Sequence, residues 1–174
     1  REQEELVHET DRWYKTLIEK STDAVTLIDA DTRVLYTSPS TERVLGYAPS
    51  EFVGLTGITR VHPDDLTSVL KILAKVVATP SEPVRTEFRY QHKDGRWIWV
   101  QTTGRNLLHD PTIHAIVINY RDITEAKEFE QAKDDFIMIA AHQLRTPVSS
   151  IRWNAELLLR SKSKLPQAAA KGIQ

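Results

Sequence analysis

Apolar and polar positions alternate in two short runs near the start of the chain. Ala24-Val25-Thr26-Leu27-Ile28 and Arg33-Val34-Leu35-Tyr36 flank Asp29-Ala30-Asp31-Thr32, which predicts a β-hairpin. Upstream, Leu6, Trp13 and Leu17 fall on one side of a charged segment and predict a helix over residues 1–20. From Ser38 to Val61 the pattern is interrupted by Pro39, Gly46, Pro49, Gly54 and Gly57, so only short helical pieces fit. His62-Pro63-Asp64-Asp65 then opens a longer helix, because proline suits the first turn and acids suit the positive end of the helix dipole. Leu66, Val69, Leu70, Leu73 and Val77 supply its apolar stripe, which stops at Pro80.

Alternation returns from Val84 to His92. The Asp94-Gly95 pair that follows is favoured in tight hairpin turns, where positive φ is required, and Trp97-Ile98-Trp99-Val100 answers as the partner strand. A turn at His109-Asp110-Pro111 leads into a fifth strand over 112–120. The expected class is α+β: a five-stranded antiparallel sheet with short helices, large enough to bury its own core.

Beyond Ile123 strand signals stop. Residues 125–159 are rich in Ala, Glu, Lys, Leu and Ile at helical spacing, and Phe129, Ala132, Phe136 and Ile139 recur as a coiled-coil seam. Arg160, Lys162 and Lys164 suit a helix C-terminus, Pro166 suits its stop, and 167–174 read as the start of a second helix. The expected divisions are a helical linker over 1–20, an α+β domain over 21–124, a coiled-coil linker over 125–135 and an incomplete helical-hairpin domain over 136–174.

Composition narrows the functional classes. The 174 residues carry 23 Lys and Arg against 24 Asp and Glu, a net charge of −1. That balance argues against nucleic-acid binding and against a polybasic membrane anchor. With no cysteine, disulfides, thiolate catalysis, cysteine-held metals and flavin–cysteine adducts are excluded. No apolar run approaches the ~18 residues of a membrane helix. A cytoplasmic setting is the expectation, with a membrane-attached parent left open. The chain opens on Arg1 and not Met, and is read as a piece of something longer.

The chemistry concentrates in one stretch. At about 100° per residue, Ala140, Leu144, Val148, Ile151, Ala155 and Leu158 cluster within roughly 80° of one another, as a buried stripe. His142 lies about 170° from the centre of that stripe, with Thr146 and Ser149 within roughly 40° and Arg145 within about 60° of it. Its imidazole is therefore expected to face water, beside small hydroxyls and a cation. Pro147 would interrupt the helix at a cost of ~3 kcal/mol, yet the apolar phase continues through it, which predicts a continuous, kinked helix. By contrast, His62 fits a helix start better than a ligand role. His8, His92, His109 and His114 fit solvated positions, and no metal site is expected. Trp97 and Trp99 share a strand face and suit core or dimer packing.

His142-Gln143-Leu144-Arg145-Thr146-Pro147 resembles the phosphoacceptor box of sensor histidine kinases, on the first helix of their dimerisation and histidine-phosphotransfer domain. The upstream region resembles a PAS domain in His62-Pro63-Asp64-Asp65, in the hairpin from Lys93 to Val100, and in Asp122-Ile123-Thr124 ahead of a coiled-coil linker. The resemblance implies that His142 is phosphorylated from ATP and passes the group to an aspartate of a response-regulator receiver domain. Gln143 stands where the family usually has Glu or Asp; it can hydrogen-bond but cannot take a proton as a base. Thr146 matches the position that places a water for dephosphorylating the regulator, and Pro147 matches the family's kink. ATP with Mg would come through the family's own ATP-binding domain, absent from this chain, so the chain alone is expected to be inactive. The PAS ligand is left unknown. A parallel homodimer is expected, with signals passing from Asp122, Ile123 and Thr124 to the seam at Phe129 and Phe136. The alternative is a dimerisation or ligand-binding module whose phosphoacceptor helix is no longer catalytic.

Overall fold

The computed structural model describes Thr16, residues 21–80 and residues 82–162, with side chains through Leu159. Apart from Thr16, the helix expected over 1–20 lies outside the described residues, as does the stop expected at Pro166. The chain falls into two units, divided between Lys127 and Glu128.

The first unit is built on one antiparallel sheet. Strands β1 (Ala24–Ile28) and β2 (Val34–Thr37) form the expected hairpin. Its turn is held by Asp29, whose Oδ1 accepts the N–H groups of Asp31 and Arg33 at 2.9 Å each. Next come α1 (Ser40–Leu45), α2 (Pro49–Phe52), a 3-10 turn (Gly57–Arg60) and α3 (Pro63–Ala78). Strands β3 (Val84–Gln91), β4 (Trp97–Leu107) and β5 (Ala115–Asp122) complete a sheet ordered β2-β1-β5-β4-β3. The Asp-Gly turn between β3 and β4 forms as expected, with Gly95 at φ +92°.

Period-two alternation decides which side chains meet the core. On β4, Ile98 and Val100 are buried while Trp97 and Trp99 lie on the opposite face. Ala24, Ile28, Val34, Ile116 and Tyr120 join them from the neighbouring strands, and the α1–α3 segment covers that side. At Gly104 α3 comes close to the sheet: an added Cβ would stand 3.2 Å from Val76 Cγ2.

Four expectations need correction. The fifth strand starts at Ala115, because Asp110 Oδ1 draws the N–H groups of Thr112 and Ile113 into a turn and His114 takes a positive φ of 49°. The inward stripe of α3 is Leu66, Val69, Ile72, Leu73 and Val76; Leu70 and Val77 are 49% and 44% exposed. His92 is not solvated. Its ring lies where a Cβ on Gly46 would fall, and its Nδ1 sits 3.0 Å from Asp94 Oδ1. Of the two packings expected for Trp97, core or dimer, the core is excluded: it stays 41% exposed and packs edge-on against His62, ring centres 4.6 Å apart.

Helix α4 runs unbroken from Thr124 to Lys162 with Pro147 inside it, as the continuous apolar phase predicts. No helix among the described residues is long and apolar enough to cross a membrane.

Candidate functional site: an exposed histidine helix and a sensor core

In the second unit, His142, Gln143, Thr146 and Pro147 all lie on α4 and are all exposed. Helical spacing brings His142 and Thr146 to one face, one turn apart. The turn beyond Pro147 is tightened by a local bond in which the Ser150 hydroxyl donates to the Thr146 carbonyl at 3.1 Å. Further on, Arg152 Nε reaches Glu156 Oε1 at 3.2 Å. An exposed imidazole keeps a ring nitrogen accessible to a phosphoryl donor, the first requirement of a nucleophile. Phe129 and Phe136, the seam residues, are 74% and 70% exposed in the single chain, as are Ile139, Leu144, Val148 and Ile151 to similar degrees.

The first unit holds the root of α4. Asp122 Oδ1 accepts the N–H of Thr124 at 2.8 Å, starting the helix. The Ile123 N–H donates to the Trp99 carbonyl at 2.8 Å, and the Trp99 N–H donates to Thr124 Oγ1 at 2.9 Å. Asp122, Ile123 and Thr124 thus tie the start of α4 to β4. Sequence reading did not find the rest of the joint. Lys127 Nζ sits 2.8 Å from Glu87 Oε2 and 5.5 Å from the Trp99 ring centre, and Arg89 Cζ lies 5.7 Å from the same centre. The hydrogen bond from Lys127 holds the Glu87 carboxyl below its ordinary range. Its available signal was the outward phase shared by Glu87, Arg89 and Trp99 on β3 and β4.

Arg89 also ties the sheet to α3. Its guanidinium donates to Asp65 Oδ1 at 2.8 Å and Oδ2 at 3.0 Å, and its backbone N–H donates to Asp65 Oδ2 at 2.9 Å. These bonds bring the Asp65 carboxyl down to about 2. His62 performs the helix-start role expected of it: its Nδ1 accepts the Asp64 N–H at 3.2 Å.

Inside the first unit, Thr26, Thr37, Thr41 and Tyr120 bring four hydroxyls together from β1, β2, α1 and β5. Burial pushes the Tyr120 and Tyr90 phenols up, so both stay neutral. Among the described residues no group of three His, Asp or Glu side chains is placed to hold a metal.

Residues 34–118 match the PAS fold family, and residues 132–173 match the His Kinase A (phospho-acceptor) domain family. The sensor histidine kinase TmoS of Ectopseudomonas mendocina is 24% identical over 163 residues, covering 83% of this chain and 16% of the relative. The White collar 2 protein of Neurospora crassa is 34% identical over 92 residues, covering 53% of this chain and 17% of the relative. The chain therefore spans about a sixth of the length of either relative. A solved PAS domain of an HTR-like protein from Haloarcula marismortui superposes with a TM-score of 0.59 at 24% identity, over 70% of this chain and 98% of that one. A PAS-fold match followed by a phospho-acceptor domain match, with an exposed histidine on the long helix, makes the chain similar in its domain order to a sensor histidine kinase fragment.

Proposed function

We propose that this chain is the sensing and phosphoacceptor part of a two-component kinase, with His142 as the residue phosphorylated. The carrying observation is that His142 is exposed on a helix that continues through Pro147, within a match to the phospho-acceptor family. One imidazole nitrogen attacks the γ-phosphorus of ATP, the bond to the β,γ-bridging oxygen breaks, and ADP leaves. Mg bound with the ATP would offset the charge that develops on the phosphate oxygens. Gln143 orients the ring by hydrogen bonding, and the departing proton goes to solvent, because an amide is no base. A carboxylate oxygen of a receiver aspartate then attacks the same phosphorus and the N–P bond breaks. Thr146 positions the water that later hydrolyses the aspartyl phosphate.

The working unit is a parallel homodimer. Its support is the apolar row Phe129, Phe136, Ile139, Leu144, Val148 and Ile151, exposed in the single chain along one helix. Functional boundaries are set at 21–124 for the sensor, 125–135 for the linker and 136–174 for the phosphoacceptor part. A ligand of the PAS core alters the packing at Asp122, Ile123 and Thr124, and the seam at Phe129 and Phe136 passes on that change.

The test supplies an ATP-binding domain of this family and radiolabelled ATP in trans. Acid-labile phosphate is expected on the chain and absent from His142→Ala. Equal labelling of His142→Ala overturns the assignment, and tight dimerisation with no labelling at all makes the chain a non-catalytic module.

A further inference from the structure

The start of α3 is fastened to β3 by a small set of groups around His62. Its backbone N–H donates to the Arg89 carbonyl at 2.9 Å, and the Arg89 N–H donates to Asp65 Oδ2 at 2.9 Å. The His62 side chain is only 19% exposed, and its ring stands edge-on to Trp97. Its Nδ1 accepts the Asp64 N–H at 3.2 Å, one of the donors that a helix start leaves outside its own ladder. That bond needs a lone pair on Nδ1, so it exists only while this nitrogen carries no proton. The Asp64 carboxylate lies beside the same nitrogen, with Oδ2 3.6 Å away, and Arg89 Nη2 reaches that oxygen at 3.4 Å. The charges facing the ring are Asp64 and Asp65 of α3 and, behind them, Arg89 of β3. Trp97 of β4 brings none. Arg60, two residues earlier, is turned to the Tyr47 hydroxyl at 2.7 Å, and Arg96 is paired with Asp94 at 3.1 Å.

Two carboxylates against one guanidinium leave this cluster with a single negative charge, which a proton on the imidazole cancels. While neutral, Nδ1 holds the Asp64 N–H. Once protonated, Nδ1 carries an N–H of its own, must release the Asp64 N–H, and becomes a donor to the Asp64 carboxylate, which Arg89 then shares less. We propose that His62 is a proton-operated switch at the joint between α3 and β3, exchanging a helix cap for an ion pair with Asp64. The change has a path outward. Arg89, left chiefly to Asp65, lies 5.7 Å from the centre of the Trp99 ring, and the Trp99 backbone is bonded to Ile123 and Thr124 at the root of α4. Trp97, against the His62 ring, shares a strand face with Trp99. That the switch adjusts the chain's output rests on the sensor reading above; that it operates rests on the geometry at His62 alone.

Nitrogen-15 NMR of the whole, unmodified chain tests this from about pH 8 to about pH 5, the span in which imidazoles in general change charge. At the alkaline end the His62 ring is expected in its Nε2–H form. As the ring takes up a proton, the Asp64 amide signal should move with the same midpoint, and its hydrogen exchange, corrected for pH, should speed severalfold. The Ile123 amide signal should follow. His62→Asn keeps a side-chain oxygen that caps a helix but cannot titrate, so both responses should vanish while a cooperative thermal transition remains. An Nδ1–H ring at the alkaline end overturns the proposal, as does an Asp64 amide indifferent to the ring's titration. An equal response in a folded His62→Asn chain also overturns it; if that variant does not fold, the titration of the unmodified chain decides alone. A response at Asp64 that leaves Ile123 unmoved overturns the path to α4. Switching without labelling of His142 would remove the sensor reading and keep the switch, and labelling without switching would do the reverse.

Discussion

Lys127 Nζ lies 2.8 Å from the Glu87 carboxylate, joining the first turns of the long helix to the outer face of β3. The same ammonium lies over Trp99, whose backbone is bonded to both Ile123 and Thr124. Charge and backbone therefore hold the root of α4 together. Glu87→Lys should raise hydrogen exchange severalfold at the Ile123 and Lys127 amides, and the reciprocal Glu87→Lys/Lys127→Glu pair should restore it. Unchanged exchange in the single variant would mean that the ion pair does not hold the joint.

Thr124 gives a second handle on this joint. Thr124→Val removes the acceptor of the Trp99 N–H and should destabilise the first unit by about 1 kcal/mol, read by denaturant unfolding. Thr124→Ser keeps the oxygen and should lie close to the original. Equal losses in both would assign the effect to the methyl group and not to the hydrogen bond.

Acid should act on the clip between α3 and β3. Arg89 lowers the Asp65 carboxyl to about 2 in the folded chain, against ~3.9 for an unfolded aspartate. The resulting stability is fully present above the unfolded value and is lost as pH falls from about 4 towards 2. Asp65→Asn should remove this portion of the acid sensitivity and lower stability at pH 7 by about 1 kcal/mol, allowing for solvent screening. Identical acid titrations of the two chains, followed by fluorescence, would exclude the clip as a cause.

Glycine positions should differ in tolerance. Gly46 has φ +77°, and an added Cβ would meet His92 Cε1 at 2.6 Å, so backbone strain and a clash coincide. Gly46→Ala should cost about 2 kcal/mol or more. Gly104→Ala meets the Val76 side chain, Cγ2 at 3.2 Å and Cγ1 at 3.7 Å, and should cost less. Thermal midpoints of the two variants give the order directly.

Pro147 lies inside α4 and has no N–H to offer the Gln143 carbonyl. Pro147→Ala restores that bond, and amide exchange in the adjoining turns should slow tenfold or more, a local gain of about 1.4 kcal/mol. Equal exchange rates would show that the helix already compensates elsewhere.

Much of this architecture is written locally. The Asp-Gly turn, the His62-Pro63-Asp64-Asp65 helix start and the five strands are set by φ preferences, capping and period-two alternation, all of which act over a few residues. Helical phase likewise carried the helix through Pro147, while His142 and the apolar stripe at Leu144, Val148 and Ile151 are alike exposed in the single chain. Where such local rules compete, reading slips: Leu70 and Val77 fit a helical stripe as well as Ile72 and Val76 do, and only the position of the sheet chooses between them.

What the order of residues determined by itself was which segments become strand or helix, since backbone dihedrals and side-chain periodicity are local properties. Tertiary structure alone decided that β5 lies between β1 and β4, that Thr26 meets Tyr120, and that Lys127 finds Glu87 beside Trp99. Periodicity tells a strand which face to bury but not which neighbour to pair with. That choice follows from burying apolar surface shared by segments far apart in the chain, and the cluster of four hydroxyls exists only once they have met.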